Sequence, residues 1–271
     1  MVNLFKLFQL SSKIPPIIEE LLRPNKPKMH QKTTTLSPTE TEHPETIPLP
    51  THALHKPSGP APDPKTPLYF AYGSNLSPTQ MHMRCKFHPG FSAQPVALAR
   101  LDGWRWFICQ RGYANVYPPV GLRVHESKDE DEDGGEGVIP QSGDEDTVYG
   151  VLYEMAADDE RLLDGYEGVD TDAETSGSKM VDGTVRPREQ GGGDYNKWYL
   201  PATITKWLDD GQRELRGSES VQMVLVYVDE ESLRVGPPKK EYIVRMDRAI
   251  REALQLGFPE KWATEVMRRF L

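Results

Sequence analysis

Residues 68–76, with the sequence LYFAYGSNL, decide the fold of this chain. The apolar and aromatic run over 68–72 predicts a buried strand, because it is short and ends at a glycine. Ser77 is typical of a helix N-cap and Pro78 of a first helical residue, so a short helix is predicted to about Arg84. The stretch therefore predicts a strand, a tight turn and a helix in direct succession.

The turn at Gly73-Ser74-Asn75 is a candidate anion site. A turn that opens into a helix exposes backbone N–H groups, and the helix N-terminus adds positive potential. Glycine also lets a ligand approach the backbone closely. These features suit a carboxylate or a developing oxyanion. An ordinary strand-to-helix turn is the plainer interpretation of the same residues.

Residues 1–66 are predicted to be a disordered leader rich in proline and threonine. They contain 12 of the 24 prolines and a single glycine, Gly59. Such a composition offers little apolar surface to bury. Apolar side chains near the N-terminus are interrupted by Pro15 and Pro16, which favours a weakly helical tail over an amphipathic segment that touches a membrane or a partner. No apolar run approaches the roughly 20 residues of a membrane-spanning helix, so no stable membrane insertion is predicted.

The rest of the chain, 67–271, is predicted to form one folded domain that is rich in strands and ends in helices. Strands are predicted at 94–101, 104–110, 113–117, 147–155, 197–207 and 221–228, and helices at 158–165, from Ile243 to Gly257 and after Pro259. This order predicts an α+β fold with a small, mixed, mainly antiparallel β-barrel and flanking helices. Two insertions are predicted, an acidic one at 126–146 and a second at 170–194.

The acidic charge of the chain is local. The formal net charge is −9, and residues 126–146 contain ten carboxylates and one lysine, so the remaining residues are formally neutral. No basic face is indicated, which argues against nucleic-acid binding. Residues 129–134, DEDEDG, match the first half of a calcium loop, but Pro140 stands where the loop needs a bidentate glutamate. A solvated acidic loop is predicted instead.

The cysteines and histidines do not indicate a metal centre. Cys85 and Cys109 are the two cysteines of the chain, too few for a disulfide framework, which favours a reducing, cytoplasmic compartment. His82, Cys85 and His88 are spaced three residues apart, so they do not share one helix face, and a fourth ligand is missing. No metal site is therefore predicted.

Glu167 is the second candidate residue. It follows the helix predicted at 158–165, in a turn between Tyr166 and Gly168, and it lies outside the acidic insertion. An exposed turn glutamate is the plainer interpretation when the residue is considered alone.

Together these segments resemble the γ-glutamylcyclotransferases. Residues 68–76 resemble the opening motif of that family. Residues 148–153, VYGVLY, followed by 163–169, LDGYEGV, are similar to the family segment that ends in the catalytic glutamate. Residues 237–243, PPKKEYI, resemble its late Pro-Pro-x-x-x-Tyr stretch. The likeness covers about 68–271 in the family's order, and the two insertions depart from the pattern.

The resemblance implies a cavity-containing catalytic domain and a set of site residues. Glu167 would be the catalytic residue. The substrate would contact Tyr69, Phe70, Ala71, Tyr72, Gly73, Ser74, Asn75, Leu76, Tyr242 and one tyrosine that follows the glutamate. Because the insertion at 170–194 falls in between, that tyrosine is Tyr195 by preference, with Tyr199 in reserve.

The resemblance also implies a reaction, which needs no cofactor and no metal. A γ-glutamyl amino acid would become 5-oxoproline and a free amino acid when its α-amine attacks its own δ-carbonyl. Glu167 would transfer the protons, and N–H groups of the Gly73–Asn75 turn would stabilise the oxyanion.

Alternatives to this function remain open at this point. A related cyclotransferase would act on glutathione or on γ-glutamyl amines, although the Tyr-Gly-Ser-Asn-Leu form favours γ-glutamyl amino acids, because glutathione-specific relatives tend to have a Tyr-Gly-Ser-Leu-type turn. A non-catalytic interaction module would keep the cavity and act through the acidic and proline-rich segments. The preferred amino acid and the oligomeric state, a homodimer included, are not indicated.

Overall fold

The computed structural model describes residues 66–124, 138–176, 183–217 and 219–271. The leader predicted at 1–66 lies outside the described residues except for Thr66. Most of the acidic run of the first predicted insertion, and residues 177–182 of the second, also lie outside them.

Five strands close into a mixed β-barrel, and two further strands form a separate hairpin. The strands are β1 (Leu68–Ala71), β2 (Pro95–Asp102), β3 (Arg105–Ile108), β4 (Ala114–Tyr117), β5 (Thr147–Tyr153), β6 (Asn196–Trp207) and β7 (Val221–Val228). The barrel order is β1-β5-β2-β6-β7, and β3 pairs with β4. All neighbours are antiparallel except β1 and β7, which run parallel. The predicted α+β fold with a small, mainly antiparallel barrel is therefore confirmed.

Helices flank the barrel. They are α1 (Pro78–Arg84), α2 (Ala157–Tyr166), α3 (Asp210–Arg216), α4 (Lys240–Gln255) and α5 (Glu260–Trp262), the last of which continues in a π turn (Ala263–Met267) and a 3-10 turn (Arg268–Phe270). Helix α4 buries one face, which includes Tyr242, Met246 and Ile250, and Gly257 follows it with φ +93°. That dihedral is typical of the glycine that ends a helix. Helix α3 was not among the predicted elements, because its segment is polar and has no apolar face.

The stretch 68–76 forms the predicted strand, turn and helix start. Every residue of β1 is buried, and the chain passes through Tyr72 and Gly73 into a 3-10 turn at Ser74–Leu76. The side chain of Ser77 then caps α1 by accepting a hydrogen bond from the N–H of Gln80 at 3.0 Å. Ser77 Oγ also donates to Glu252 Oε2 at 2.6 Å, which connects the turn to α4.

The described end of the acidic insertion, 138–146, packs against the hairpin. Ile139 and Ser142 are buried, and Ser142 Oγ accepts a hydrogen bond from the N–H of Trp106 at 2.7 Å. Asp146 forms an ion pair with Arg105 at 2.8 Å. These residues are therefore part of the folded domain and are not a freely solvated loop.

Candidate active site

A polar cavity of about 200 Å³ lies beside the turn that follows β1. This volume is smaller than the roughly 300–1,000 Å³ of pockets for drug-sized ligands. Its walls combine the predicted turn residues with tyrosines and arginines from distant parts of the chain. The wall residues are Tyr69, Tyr72, Gly73, Ser74, Asn75, Arg84, Arg111, Tyr113, Ala114, Tyr166, Glu167, Asp194, Tyr195, Tyr227, Tyr242 and Arg245. The cavity suits a ligand of one or two amino-acid units.

Asn75 connects the turn to Glu167. Its Nδ2 donates to Glu167 Oε1 at 3.0 Å and to the hydroxyl of Tyr69 at 2.9 Å. Its Oδ1 accepts from Gln80 Nε2 at 2.8 Å and from Arg84 at 2.9 Å. All four contacts fit the same placement of the amide nitrogen and oxygen, so the orientation of the amide is determined by its surroundings. The two residues that the sequence singled out independently therefore meet in one cavity, although 92 positions separate them.

Glu167 stands directly after α2, at its C-terminal end. A carboxylate is unfavourable there because the last carbonyl groups of a helix carry partial negative charge. Arg84 compensates by forming an ion pair with Glu167 Oε1 at 2.9 Å, and about a sixth of each side chain remains exposed (17% and 16%). Both hydrogen bonds of the carboxylate within the described residues go to Oε1, so Oε2 is left for a ligand.

Gly168 turns the chain away from the helix immediately after Glu167. Its φ is +64°, and a Cβ at this position would come within 2.9 Å of Asp194 Cβ. Its carbonyl accepts a hydrogen bond from the N–H of Asp194 at 2.8 Å, which brings the segment before Tyr195 to the cavity. The glycine thus helps to hold Glu167 and Tyr195 at the same site.

The five buried tyrosines of the cavity fall into two groups by where their hydroxyl protons go. Tyr72 donates to the carbonyl of Tyr227 at 2.6 Å, Tyr195 to the carbonyl of Ala114 at 2.8 Å, and Tyr227 to Asp164 at 2.6 Å. The other group consists of Tyr69 and Tyr242, whose hydroxyls donate to no other described residue.

Tyr69 and Tyr242 accept hydrogen bonds instead. The Tyr69 oxygen accepts from Asn75, and the Tyr242 oxygen accepts from the N–H of Ser74 at 3.3 Å and from that of Ala114. A hydroxyl group that accepts in this way still has its own proton to donate. Among the five buried tyrosines, Tyr69 and Tyr242 are therefore the two that can donate a hydrogen bond to a ligand.

Burial keeps these tyrosines protonated. Removal from water raises the pKa of Tyr69, Tyr72, Tyr195 and Tyr227 well above the usual value of 10, and raises the pKa of Tyr242 to about 12. The phenolate is the charged form, and burial penalises it. The hydroxyls of Tyr69 and Tyr242 consequently remain donors at neutral pH.

We expect the protein to lose stability steeply as the pH rises above about 10. The unfolded chain releases tyrosine protons near that pH, whereas the folded chain retains them, so unfolding becomes more favourable up to about pH 12. Tyr242 alone, whose pKa is raised to about 12 by burial, would contribute about 3 kcal/mol to this loss. Urea unfolding at a series of pH values, with tyrosinate absorbance followed in parallel, measures the effect. Full ionisation of the buried tyrosines of the cavity near pH 10, in a protein that stays folded, would contradict this prediction.

The structure places most of the predicted site residues in the cavity wall and three elsewhere. Tyr69, Tyr72, Gly73, Ser74, Asn75, Glu167, Tyr195 and Tyr242 all line the cavity. Phe70, Ala71 and Leu76 are fully buried in the barrel core and do not line it. Tyr199, the reserve choice, lines a different hollow beside Lys197, so of these two candidates Tyr195 is the one in the cavity wall.

Three arginines of the cavity wall were not predicted from the sequence. Arg84 pairs with Glu167, and Arg111 pairs with Asp194 and, at 3.1 Å, with the buried Asp229. Arg245 lies against the rings of Tyr242 and Tyr113. One available signal was the spacing from Tyr242 to Arg245, which places both on one side of a helix. No signal in the sequence joins Arg84 or Arg111 to the site.

In the described ranges, no group of three or more histidine, cysteine, aspartate or glutamate side chains is arranged to hold a metal ion. No helix in that part of the chain is both long enough and apolar enough to cross a membrane. Cys85 and Cys109 are both buried and unpaired.

Comparison with solved structures finds partial likenesses, among them two at low identity. One is with YkqA from Bacillus subtilis, at 14% identity and a TM-score of 0.43, covering 75% of this chain and 54% of that one. The chain thus spans about half the length of YkqA. The other is with a yeast γ-glutamyl cyclotransferase specific to glutathione, at 12% identity and a TM-score of 0.36, covering 69% of this chain and 87% of that one. No protein-family model and no curated protein matches the chain.

Proposed function

We propose that this protein is a γ-glutamylcyclotransferase that converts γ-glutamyl amino acids to 5-oxoproline and a free amino acid. The observation that carries the proposal is the hydrogen bond of 3.0 Å between Glu167 and Asn75. This hydrogen bond links the Glu167 carboxylate, whose Oε2 is left for a ligand, to the Gly73–Asn75 turn, in a cavity sized for a dipeptide. The resemblance in sequence over 68–76 and 163–169 supports the same reaction.

Glu167 is the proton-transfer group in this reaction. The substrate's α-ammonium gives up a proton to Glu167, and the resulting amine attacks the δ-carbonyl carbon to form the C–N bond of the lactam. When the original amide C–N bond breaks, Glu167 returns the proton to the leaving nitrogen. Over the full reaction two protons leave the α-nitrogen and two reach the leaving nitrogen, so no cofactor or co-reactant is needed.

The Tyr242 hydroxyl is the group that stabilises the tetrahedral oxyanion, and the Ser74 N–H orients it. The Tyr242 hydroxyl keeps its proton free for a ligand, and it sits 3.3 Å from the Ser74 nitrogen. A carbonyl oxygen placed beside this hydroxyl would receive a hydrogen bond from a buried side chain that a fixed backbone turn holds in position. Donors that are already oriented before the reaction are the effective ones in stabilising developing charge.

Incubation of the full chain with three γ-glutamyl compounds tests the proposal. We expect 5-oxoproline to be released from γ-glutamyl-alanine with a higher kcat/KM than from glutathione or from ε-(γ-glutamyl)-lysine, because the cavity of about 200 Å³ is small. A preference for glutathione or for the lysine compound would assign the protein to a related cyclotransferase. No 5-oxoproline from any of them would support the binding-module alternative and overturn the proposal.

A further inference from the structure

Arg245 differs from the other two arginines of the cavity in having no carboxylate partner within the described ranges. Arg84 is neutralised by Glu167, and Arg111 by two aspartates. Among the described residues no carboxylate forms an ion pair with Arg245. Glu241, one turn earlier on α4, instead accepts a hydrogen bond from the Tyr113 hydroxyl at 3.3 Å. Arg245 therefore brings an uncompensated positive charge to the cavity wall.

Two aromatic rings hold the Arg245 guanidinium in place. Its Cζ lies 5.0 Å from the centre of the Tyr242 ring and 5.8 Å from that of Tyr113. The two rings meet edge to face, with centres 5.2 Å apart, and Lys239 Nζ lies 4.3 Å from the Tyr113 centre. A guanidinium that stacks on a ring keeps the N–H groups of its edge available for a planar anion. The arrangement suits a carboxylate better than it suits an amine.

The position of Arg245 follows from a chain of contacts that begins at Glu167. Glu167 bonds to Asn75, and the adjacent Ser74 N–H bonds to the Tyr242 hydroxyl. The Arg245 guanidinium in turn lies over the Tyr242 ring. In a bound γ-glutamyl amino acid, the order would be the α-amine at Glu167, the reacting carbonyl at Ser74 and Tyr242, and the leaving amino acid beyond it. The carboxylate of that amino acid is two bonds from the leaving nitrogen.

We propose that Arg245 binds the carboxylate of the leaving amino acid and so selects γ-glutamyl amino acids over γ-glutamyl amines. This inference rests on the proposed function. It makes Arg245 a specificity-determining residue, whereas proton transfer remains with Glu167. A substrate whose leaving group lacks the carboxylate would leave the guanidinium without a partner.

A matched pair of substrates tests the proposal: γ-glutamyl-alanine and γ-glutamyl-alaninamide, which replaces the second carboxylate by a neutral amide of the same shape. We expect the unchanged full chain to prefer γ-glutamyl-alanine. Arg245→Gln should lower kcat/KM for γ-glutamyl-alanine about 10- to 100-fold, mainly through KM, as for a lost charge-assisted hydrogen bond. For the alaninamide the change should stay within about threefold. Arg245→Lys should restore part of the preference.

Arg251→Gln is the control, because Arg251 lies on the same helix but is exposed and pairs with Asp247. Arg251→Gln should leave kcat/KM unchanged for both substrates. This inference would be overturned if Arg245→Gln, with the parent's melting temperature retained, lowered kcat/KM equally for both substrates. The residue would then bind the shared α-carboxylate or support the fold. Equal use of the two substrates by the unchanged protein would also overturn it. Release of no 5-oxoproline from either would overturn the proposed function, and this inference with it.

Discussion

Replacing Glu167 with glutamine should lower kcat for γ-glutamyl-alanine at least about 100-fold, the loss typical of a missing general base. Glutamine keeps the shape of the side chain and can still accept the hydrogen bond from Asn75, but it cannot take a proton from the α-ammonium. The fold should survive, because the glutamine oxygen can accept the same hydrogen bonds from Asn75 and Arg84. Steady-state release of 5-oxoproline and the melting temperature measure the two effects.

Glu160→Gln is the matched control for this variant. Glu160 belongs to the same helix, α2, and pairs with Lys197, but it does not line the cavity. Its replacement should leave kcat within about twofold, as for a residue that does not touch the substrate. Near-normal turnover by a folded Glu167→Gln protein would show that another group transfers the protons.

Gly73→Ala should lower kcat/KM at least about 100-fold, as expected when an oxyanion donor is displaced. A Cβ at this position would lie 2.9 Å from the Tyr242 hydroxyl and 3.3 Å from Ala114 Cβ. The backbone itself tolerates alanine, because φ is −110°. The methyl group would therefore push the Tyr242 hydroxyl out of place, and the overpacking should cost roughly 1–3 kcal/mol of stability. Kinetics and urea unfolding of the variant measure both effects.

A double-mutant cycle with Tyr242→Phe identifies the contact responsible. Phenylalanine lacks the oxygen that the new methyl group would strike, so Gly73→Ala should cost at least about 1 kcal/mol less in the Tyr242→Phe background than in the parent. The kcat/KM should not recover, because the hydroxyl donor is still missing. Additive stability losses would place the clash elsewhere, and parental kinetics of Gly73→Ala would make the turn purely structural.

The turn and the helix after β1 could be predicted because their signals are local. Ser77 as cap, Pro78 at the first helical position and a glycine at the end of an apolar run act within a few residues of one another. The β-barrel could be predicted as a class from the order of strands. Its closure by the parallel pair β1 and β7 was beyond the sequence, because that pairing joins residues 68 and 69 to residues 224 and 225.

The substrate-contact prediction for the nine-residue motif illustrates a second limit. Successive side chains of a strand point to opposite faces, so a contiguous motif cannot line one cavity throughout. Tyr69 faces the cavity, whereas the Phe70 ring packs on Gly150, where a Cβ would come within 2.5 Å of its Cζ. Motif resemblance identified the segment, and the tertiary arrangement decided which of its residues line the cavity.

The cavity arginines show why the rest of the site was missed. Arg84 and Arg111 reach Glu167 and Asp194 across 83 positions each, and the printed sequence has no local pattern that links them. Charge composition was of no help either, since the acidic insertion dominates the net charge. The distinction between these paired arginines and Arg245, which has no carboxylate partner in the described part of the chain, depends entirely on the tertiary arrangement.

The fate of the substrate's α-nitrogen tests the central claim most directly. The full chain would be incubated with γ-glutamyl-alanine labelled with ¹⁵N at the glutamyl α-amine, and the products identified by mass spectrometry. Intramolecular cyclisation predicts 5-oxoproline that carries the label, in equal amount to free alanine, from the parent and almost none from Glu167→Gln. Labelled glutamate in place of 5-oxoproline would show that water attacks the carbonyl, and would contradict the assignment of the cavity to cyclotransfer.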